Sequence, residues 1–225
     1  MWSDSILATT NIKRCEMETD YLSELEFEFS IKPTELEEFS HILVDFKGQA
    51  LLWDDEAEEH VVAILKGHRL DLTSARKHYK DIQELFDSIS QEIADLGEHI
   101  ISNNNCYVEC CSKDEKEKTP CGSLVYIDEI LVEKGYRNKR IGTEMLKRMS
   151  EVLDLNKTLV ALKAYPIMDN EDEARTPELK QQLKNFYTKL GFRYSGEHYM
   201  VKDARECYAQ RKRAEAEAGV TVKEY

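Results

Sequence analysis

Apolar and polar residues alternate from Tyr21 to Ile31, Y-L-S-E-L-E-F-E-F-S-I, the pattern of a strand with one buried face, and Pro33 is expected to stop it. Two short apolar runs, Ile42 to Phe46 and Ala50 to Trp53, flank Lys47-Gly48-Gln49 and predict a hairpin. His60 to Leu70 predicts another strand. Further on, Ile82, Leu85, Phe86, Ile89, Ile93, Leu96 and Ile100 recur at three- and four-residue spacing, predicting one amphipathic helix up to Ile101 that Asn103 to Asn105 ends. Tyr107 to Cys111 and Leu124 to Val132 are the next expected strands, joined by the charged stretch Lys113 to Thr119. A helix is expected from Gly142 to Leu153 and a strand from Thr158 to Tyr165. After the acidic loop Pro166 to Arg175, Thr176 can cap a helix that has Pro177 at its first position and Glu178 at its positive end, running to about Leu190. Phe192 to Ser195 and His198 to Val201 form a hairpin around Gly196, and a charged helix starts at Asp203.

At 41% hydrophobic and 33% charged, with nine Gly and four Pro, the composition is that of a folded chain with a sizeable core. The formal net charge of −13 argues against nucleic acid or an anionic membrane as a partner of the surface as a whole. No apolar run reaches the length of a membrane span and Met1-Trp2-Ser3-Asp4 does not open a signal peptide, so a cytoplasmic location is expected. The six Cys then read as free thiols. Cys106, Cys110, Cys111 and Cys121 cluster, but at no zinc-pair spacing, and no metal is expected.

One segment runs against the acidic background. From Tyr136 to Arg148 there are five Lys or Arg and one Glu, a local charge of +5 − 1 = +4. It begins as a turn holding Arg137, Asn138, Lys139 and Arg140, placed between an apolar strand and a helix that starts near Ile141, Gly142 and Thr143. The first N–H groups of a helix and the positive end of its dipole suit an anion, phosphate above all. The bland alternative is a solvated basic turn. About 45 residues later comes Asn185-Phe186-Tyr187-Thr188-Lys189-Leu190-Gly191-Phe192, a helix end that stops at Gly and continues as a strand.

These two segments, in this order, resemble the GNAT superfamily of acyl-CoA-dependent N-acetyltransferases. The family's phosphate loop would run from Arg137 to Gly142, with Arg140 where its first Gly is expected; a helical φ below zero at Arg140 would leave the site intact. The second segment is similar to the family's F-Y-x-K-L-G-F pattern. The strand and helix of His60 to Ile101, with Lys163-Ala164-Tyr165-Pro166, resemble a bacterial GNAT-like subgroup. The resemblance implies an α/β (α+β) fold with a mixed, mostly antiparallel central sheet flanked by helices, whose splayed core strands bind acyl-CoA. It implies a GNAT domain over 60–202; residues 1–59 fall outside the resemblance and are expected to be a strand-rich extension on the same sheet, and 203–225 a charged tail.

The activity implied is transfer of an acetyl group from acetyl-CoA to a primary amine by direct attack in a ternary complex. The main chain of Ile130, Leu131 and Val132 would hold the pantetheine arm, and Arg137, Asn138, Lys139, Arg140, Ile141, Gly142 and Thr143 the pyrophosphate. Tyr187 takes the family's position for the acid that protonates the leaving thiolate; otherwise it is a helix tyrosine capping the core. Asp128 and Glu129 take positions where an acidic pair receives the amine proton. Strand alternation puts one toward the substrate and leaves the other to pair with Lys or Arg across the sheet. His198 and Tyr199 line the acceptor side or simply pack. The acidic loop Asp169 to Glu173 hints at a cationic acceptor, and exposed strands allow a homodimer. The alternative is a catalytically silent GNAT-fold module that binds acyl-CoA or a protein partner.

Overall fold

The computed structural model describes residues 22–53, 56–101, 121–155, 157–166, 176–195 and 198–204. The elements expected at Tyr107 to Cys111, Lys113 to Thr119 and beyond Asp203, most of the loop after Pro166, and the tip of the last hairpin at Gly196 lie outside them. Seven strands, β1 (Leu25–Pro33), β2 (Leu43–Trp53), β3 (Glu59–Asp71), β4 (Ser123–Val132), β5 (Thr158–Lys163), β6 (Arg193–Ser195) and β7 (Tyr199–Asp203), form one sheet in the order β1-β2-β3-β4-β5-β7-β6. The sheet is mixed and mostly antiparallel, flanked by helices, with β4 and β5 as a parallel pair. The helices are α1 (Leu72–His78), α2 (Ile82–Ile89), α3 (Gln91–Ile100), α4 (Ile141–Val152) and α5 (Pro177–Lys189). From β4 onward the order of strand, helix, strand, helix, strand, strand is the expected one.

Two local expectations are corrected. The residues 43–53 form one continuous strand rather than a hairpin. Gly48 serves packing, not a turn: a Cβ there would lie 2.5 Å from Cε1 of Phe29, so the ring of a β1 residue takes up the space of the missing side chain. The helix expected from Ile82 to Ile101 is two helices, because Ser90 is extended (φ −164°, ψ 158°) and its hydroxyl accepts a hydrogen bond from the Ile93 N–H at 3.2 Å. That bond caps α3 and ends α2. β1 ends at Pro33, as expected. In addition, Asp71 nucleates α1 by accepting from the Ser74 N–H at 2.9 Å and the Ser74 hydroxyl at 2.8 Å.

The chain divides into two compact units, and β1, β2, β3 and β4 each contribute to both. One takes Lys47–Lys66 and Glu129–Val152 with the described residues up to Ser30. It holds most of β1, the second part of β2, most of β3, the end of β4, and α4, with Ala50, Leu51, Val62, Leu65, Ile141 and Met145 buried. The other holds the main hydrophobic core. There Phe39, Leu43, Leu70 and Leu72 join Leu85, Phe86, Ile93 and Leu96 of α2 and α3 and Leu124, Leu159 and Val201 of the sheet. At ~25 cal/mol per Å2 of apolar surface, each fully buried Leu or Phe contributes about 1.5–3 kcal/mol, which is why the apolar stripe of α2 and α3 faces this cluster.

Candidate functional site

The strand β4 supplies the frame. Its parallel ladder with β5 runs from Ser123 with Thr158 to Ile127 with Leu162 and closes there, whereas β4 continues to Val132. Ile130, Leu131 and Val132, half-buried, therefore lie beyond the β5 ladder. Toward β3 the chain stays attached, with the Glu133 N–H donating to the Val62 carbonyl at 3.0 Å.

After β4 comes a single 3-10 turn, Lys134–Tyr136, and then the basic turn. Arg137 is extended and donates from Nε to the Val132 carbonyl at 2.9 Å, which ties the turn back to the strand. Lys139 Nζ sits 5.2 Å from the centroid of the Tyr136 ring. Asn138 has φ +63°, the left-handed conformation that an Asn side chain tolerates. Arg140 also has φ +63°, which corrects the expectation of a negative φ. Where a glycine was expected, the backbone adopts the conformation a glycine favours, and an arginine takes it at a cost of about 1–2 kcal/mol from the contact between Cβ and the carbonyl.

Directly after Arg140, α4 begins. Its ladder opens with the Glu144 N–H on the Arg140 carbonyl at 3.0 Å, and the N–H groups of Ile141, Gly142 and Thr143 make no hydrogen bond to any described residue. Buried Ile141 and Met145 anchor the helix, so those donors point from a fixed base. Glu129 and Ile130 through Thr143 all belong to the first unit; Asp128 and Tyr187 belong to the second.

The two carboxylates of β4 are both engaged by β3. Glu129 Oε2 lies 2.7 Å from Lys66 Nζ, the cross-sheet pairing expected for one of the two. Asp128 Oδ2 lies 2.9 Å from Nε2 of His68, and Nδ1 of the same ring lies 2.7 Å from Asp45 Oδ1. Only an imidazolium can donate to both at once. The hydrogen bond to Asp128 is the chief cause that raises the His68 pKa from 6.5 to about 9, against the opposing effect of burial and with the help of both carboxylate charges. His68, Asp45 and Lys66 carry no signal in the sequence: a lone histidine in an apolar run reads as core, and its partners depend on strand register.

Tyr187 lies near the end of α5. The Leu190 N–H (3.0 Å) and Phe192 N–H (3.0 Å) both bond to its carbonyl, and Gly191, at φ +87°, closes the helix as a glycine past a helix end does. Thus the F-Y-x-K-L-G-F segment folds Phe192 back on Tyr187, with ring centroids 5.8 Å apart and Phe186 at 5.1 Å on another side. Burial pushes the phenol up to about 12, and its hydroxyl makes no hydrogen bond to a described residue. At neutral pH it holds its proton. Thr176 precedes α5 as expected but makes no side-chain cap hydrogen bond.

Tyr199 packs: it is buried and its hydroxyl donates to the Glu92 carbonyl at 3.2 Å. The His198 ring meets that of Tyr165 edge-on at 6.4 Å. Cys121 is a buried free thiol, while the other clustered cysteines lie outside the described residues. Among the described residues there is no group of three or more metal-binding side chains and no helix long and apolar enough to cross a membrane.

No protein-family model and no curated protein matches the chain. Solved structures similar to it include the KacTA–DNA complex, at TM-score 0.38 and 10% identity over 84% of this chain and 99% of the other. AtaTR bound with AcCoA is similar at TM-score 0.37 and 11% identity, over 84% and 99% of the two chains. Arabidopsis thaliana NAA60 in complex with acetyl-CoA is similar at TM-score 0.33 and 16% identity, over 78% and 97%. These are distant likenesses, and the architecture stands on the strand order and register above.

Proposed function

We propose that the chain is an N-acyltransferase of the GNAT type that moves an acetyl group from acetyl-CoA to a primary amine. The observation that carries this reading is the three N–H groups of Ile141, Gly142 and Thr143, which bond to no described residue, behind a turn of Arg137, Lys139 and Arg140. Oriented donors, a helix dipole and neighbouring cations together fit a pyrophosphate. The pantetheine amides would bond to the main chain of Ile130, Leu131 and Val132, past the point where β5 stops pairing.

In the reaction the amine nitrogen attacks the thioester carbonyl and the C–S bond then breaks. Tyr187 gives its phenolic proton to the departing thiolate, and the surplus amine proton passes to Asp128 or Glu129, directly or through water. A phenol near 12 is a weak acid but a dependable store of the proton, and the thiolate needs it only as the bond breaks.

A second reading has specific support. Arg140 strains the loop where glycine would relax it, and both carboxylates already hold cations, Lys66 and His68. These features suit a module that binds acyl-CoA, or a protein partner, without turnover.

Isothermal titration with acetyl-CoA up to about millimolar, followed by an amine panel read by thiol release, decides between them. Binding with turnover supports the enzyme, and binding without turnover for any amine supports the silent module. Absence of binding removes the acyl-CoA reading altogether.

A further inference from the structure

The second unit contains a cavity of about 460 Å3 that shares no residue with the turn or with Tyr187. Its volume is in the range of small-molecule sites, well above what a single ion needs. Gly122 and Ser123 at the start of β4, Arg69 and Asp71 at the end of β3, Thr73 and Lys157 line it. Main-chain bonds fix its walls in advance. The Thr73 N–H donates to the Gly122 carbonyl at 3.1 Å, and the Gly122 N–H to the Lys157 carbonyl at 2.7 Å.

Its charge is unusual for this chain. The chain as a whole carries 44 Asp and Glu against 31 Lys and Arg. Yet neither Arg69 nor Lys157 has a salt bridge to a described residue. The half-buried Arg69 guanidinium makes one long contact, 3.5 Å to the Ser123 hydroxyl, so most of its five donors are uncommitted. The nearby carboxylate of Asp71 does not neutralise it by contact, because its oxygens accept from the Ser74 N–H and hydroxyl. Two cations and one committed carboxylate leave the cavity with a net charge of +1.

We infer that this cavity is a second binding site, for a small molecule carrying a phosphate or carboxylate group. The oxyanion is held in the fork of Arg69, with Lys157 as a second charge and the Ser123 hydroxyl as a further donor; the Thr73 hydroxyl is given to the Gly122 carbonyl at 3.3 Å and braces the wall. The site is independent of the acyl-CoA reading, and the test keeps the two apart.

Isothermal titration of the full chain with inorganic phosphate and with citrate, at ionic strength held constant with chloride, reads the site. Binding of either anion that weakens at least tenfold in Arg69→Gln and in Lys157→Gln, and is unchanged in Arg137→Ala, is the expected result. Which anion binds more tightly distinguishes a phosphate ligand from a carboxylate one. Heat that disappears in Arg137→Ala, or that survives both cavity substitutions, would assign the anion to the turn and overturn the inference, as would no binding of either anion at tens of millimolar. Lys157 is exposed, so Lys157→Gln keeps the test decisive if Arg69→Gln fails to fold.

Discussion

Arg140 sets two requirements against each other. Its φ of +63° disfavours any side chain, while its charge favours the anion that the turn is proposed to hold. Arg140→Gly is therefore expected to stabilise the free protein by about 1 kcal/mol, a rise of about 2–4 °C for a chain of this size. If the guanidinium contacts the ligand, acetyl-CoA affinity falls in the same variant. Thermal unfolding and titration on one preparation check both. Tyr187 offers the complementary case, because its hydroxyl bonds to no described residue. Tyr187→Phe is expected to leave stability within about 1 kcal/mol and acetyl-CoA binding unchanged, while lowering turnover by about 100-fold or more. Unchanged turnover would make Tyr187 a packing residue only.

Among the elements, β3 is the most constrained. Gly67 lies where a Cβ would collide with the Tyr126 carbonyl oxygen of β4 and meet the Phe46 ring at 2.6 Å. Backbone cannot step aside as a flexible side chain can, so Gly67→Ala is expected to destabilise by roughly 1–3 kcal/mol, measured by denaturant unfolding. One residue further, His68 clasps Asp45 of β2 and Asp128 of β4. Its folded pKa, about 9, lies above the unfolded value of 6.5. The stability it contributes is thus fully present below pH 6.5 and is lost as pH rises through 9. His68→Gln is expected to flatten the decline in unfolding free energy between those values. A wild-type profile with no decline there would mean the clasp is open in solution. Phe46, Asp45, Tyr126 and Asp128 are all distant from Gly67 and His68 in sequence, which is why the apolar run located β3 but not what it touches.

For the whole molecule the governing contrast is a net charge of −13 with a basic stretch of +4 from Tyr136 to Arg148. Acetyl-CoA, itself anionic, would be repelled by the surface at large and attracted at the turn, so its affinity is expected to fall as salt rises past about 0.1 M, where the Debye length is about 10 Å. At about 100 times its dissociation constant it should add about 2.7 kcal/mol to stability. A rise in unfolding temperature that is lost in Arg137→Ala checks that the ligand occupies the turn. A shift that persists in that variant would place the ligand elsewhere.

The sequence by itself determined what is settled within a turn or two of chain: the apolar periods of β1, β3, α2 and α3, the basic turn ahead of α4, Pro177 at the start of α5, and Gly191 at its end. Periodicity and capping act between residues three or four apart, so a linear reading can find them. Tertiary structure decided the rest. That Gly48 yields to the Phe29 ring, that Ser90 divides one apolar stripe into two helices, that Arg140 accepts a left-handed backbone, and that His68 bridges two carboxylates all follow from register and packing. These are fixed only once the strands have been aligned, because a shift of one residue exchanges the two faces of a strand and gives every side chain new neighbours.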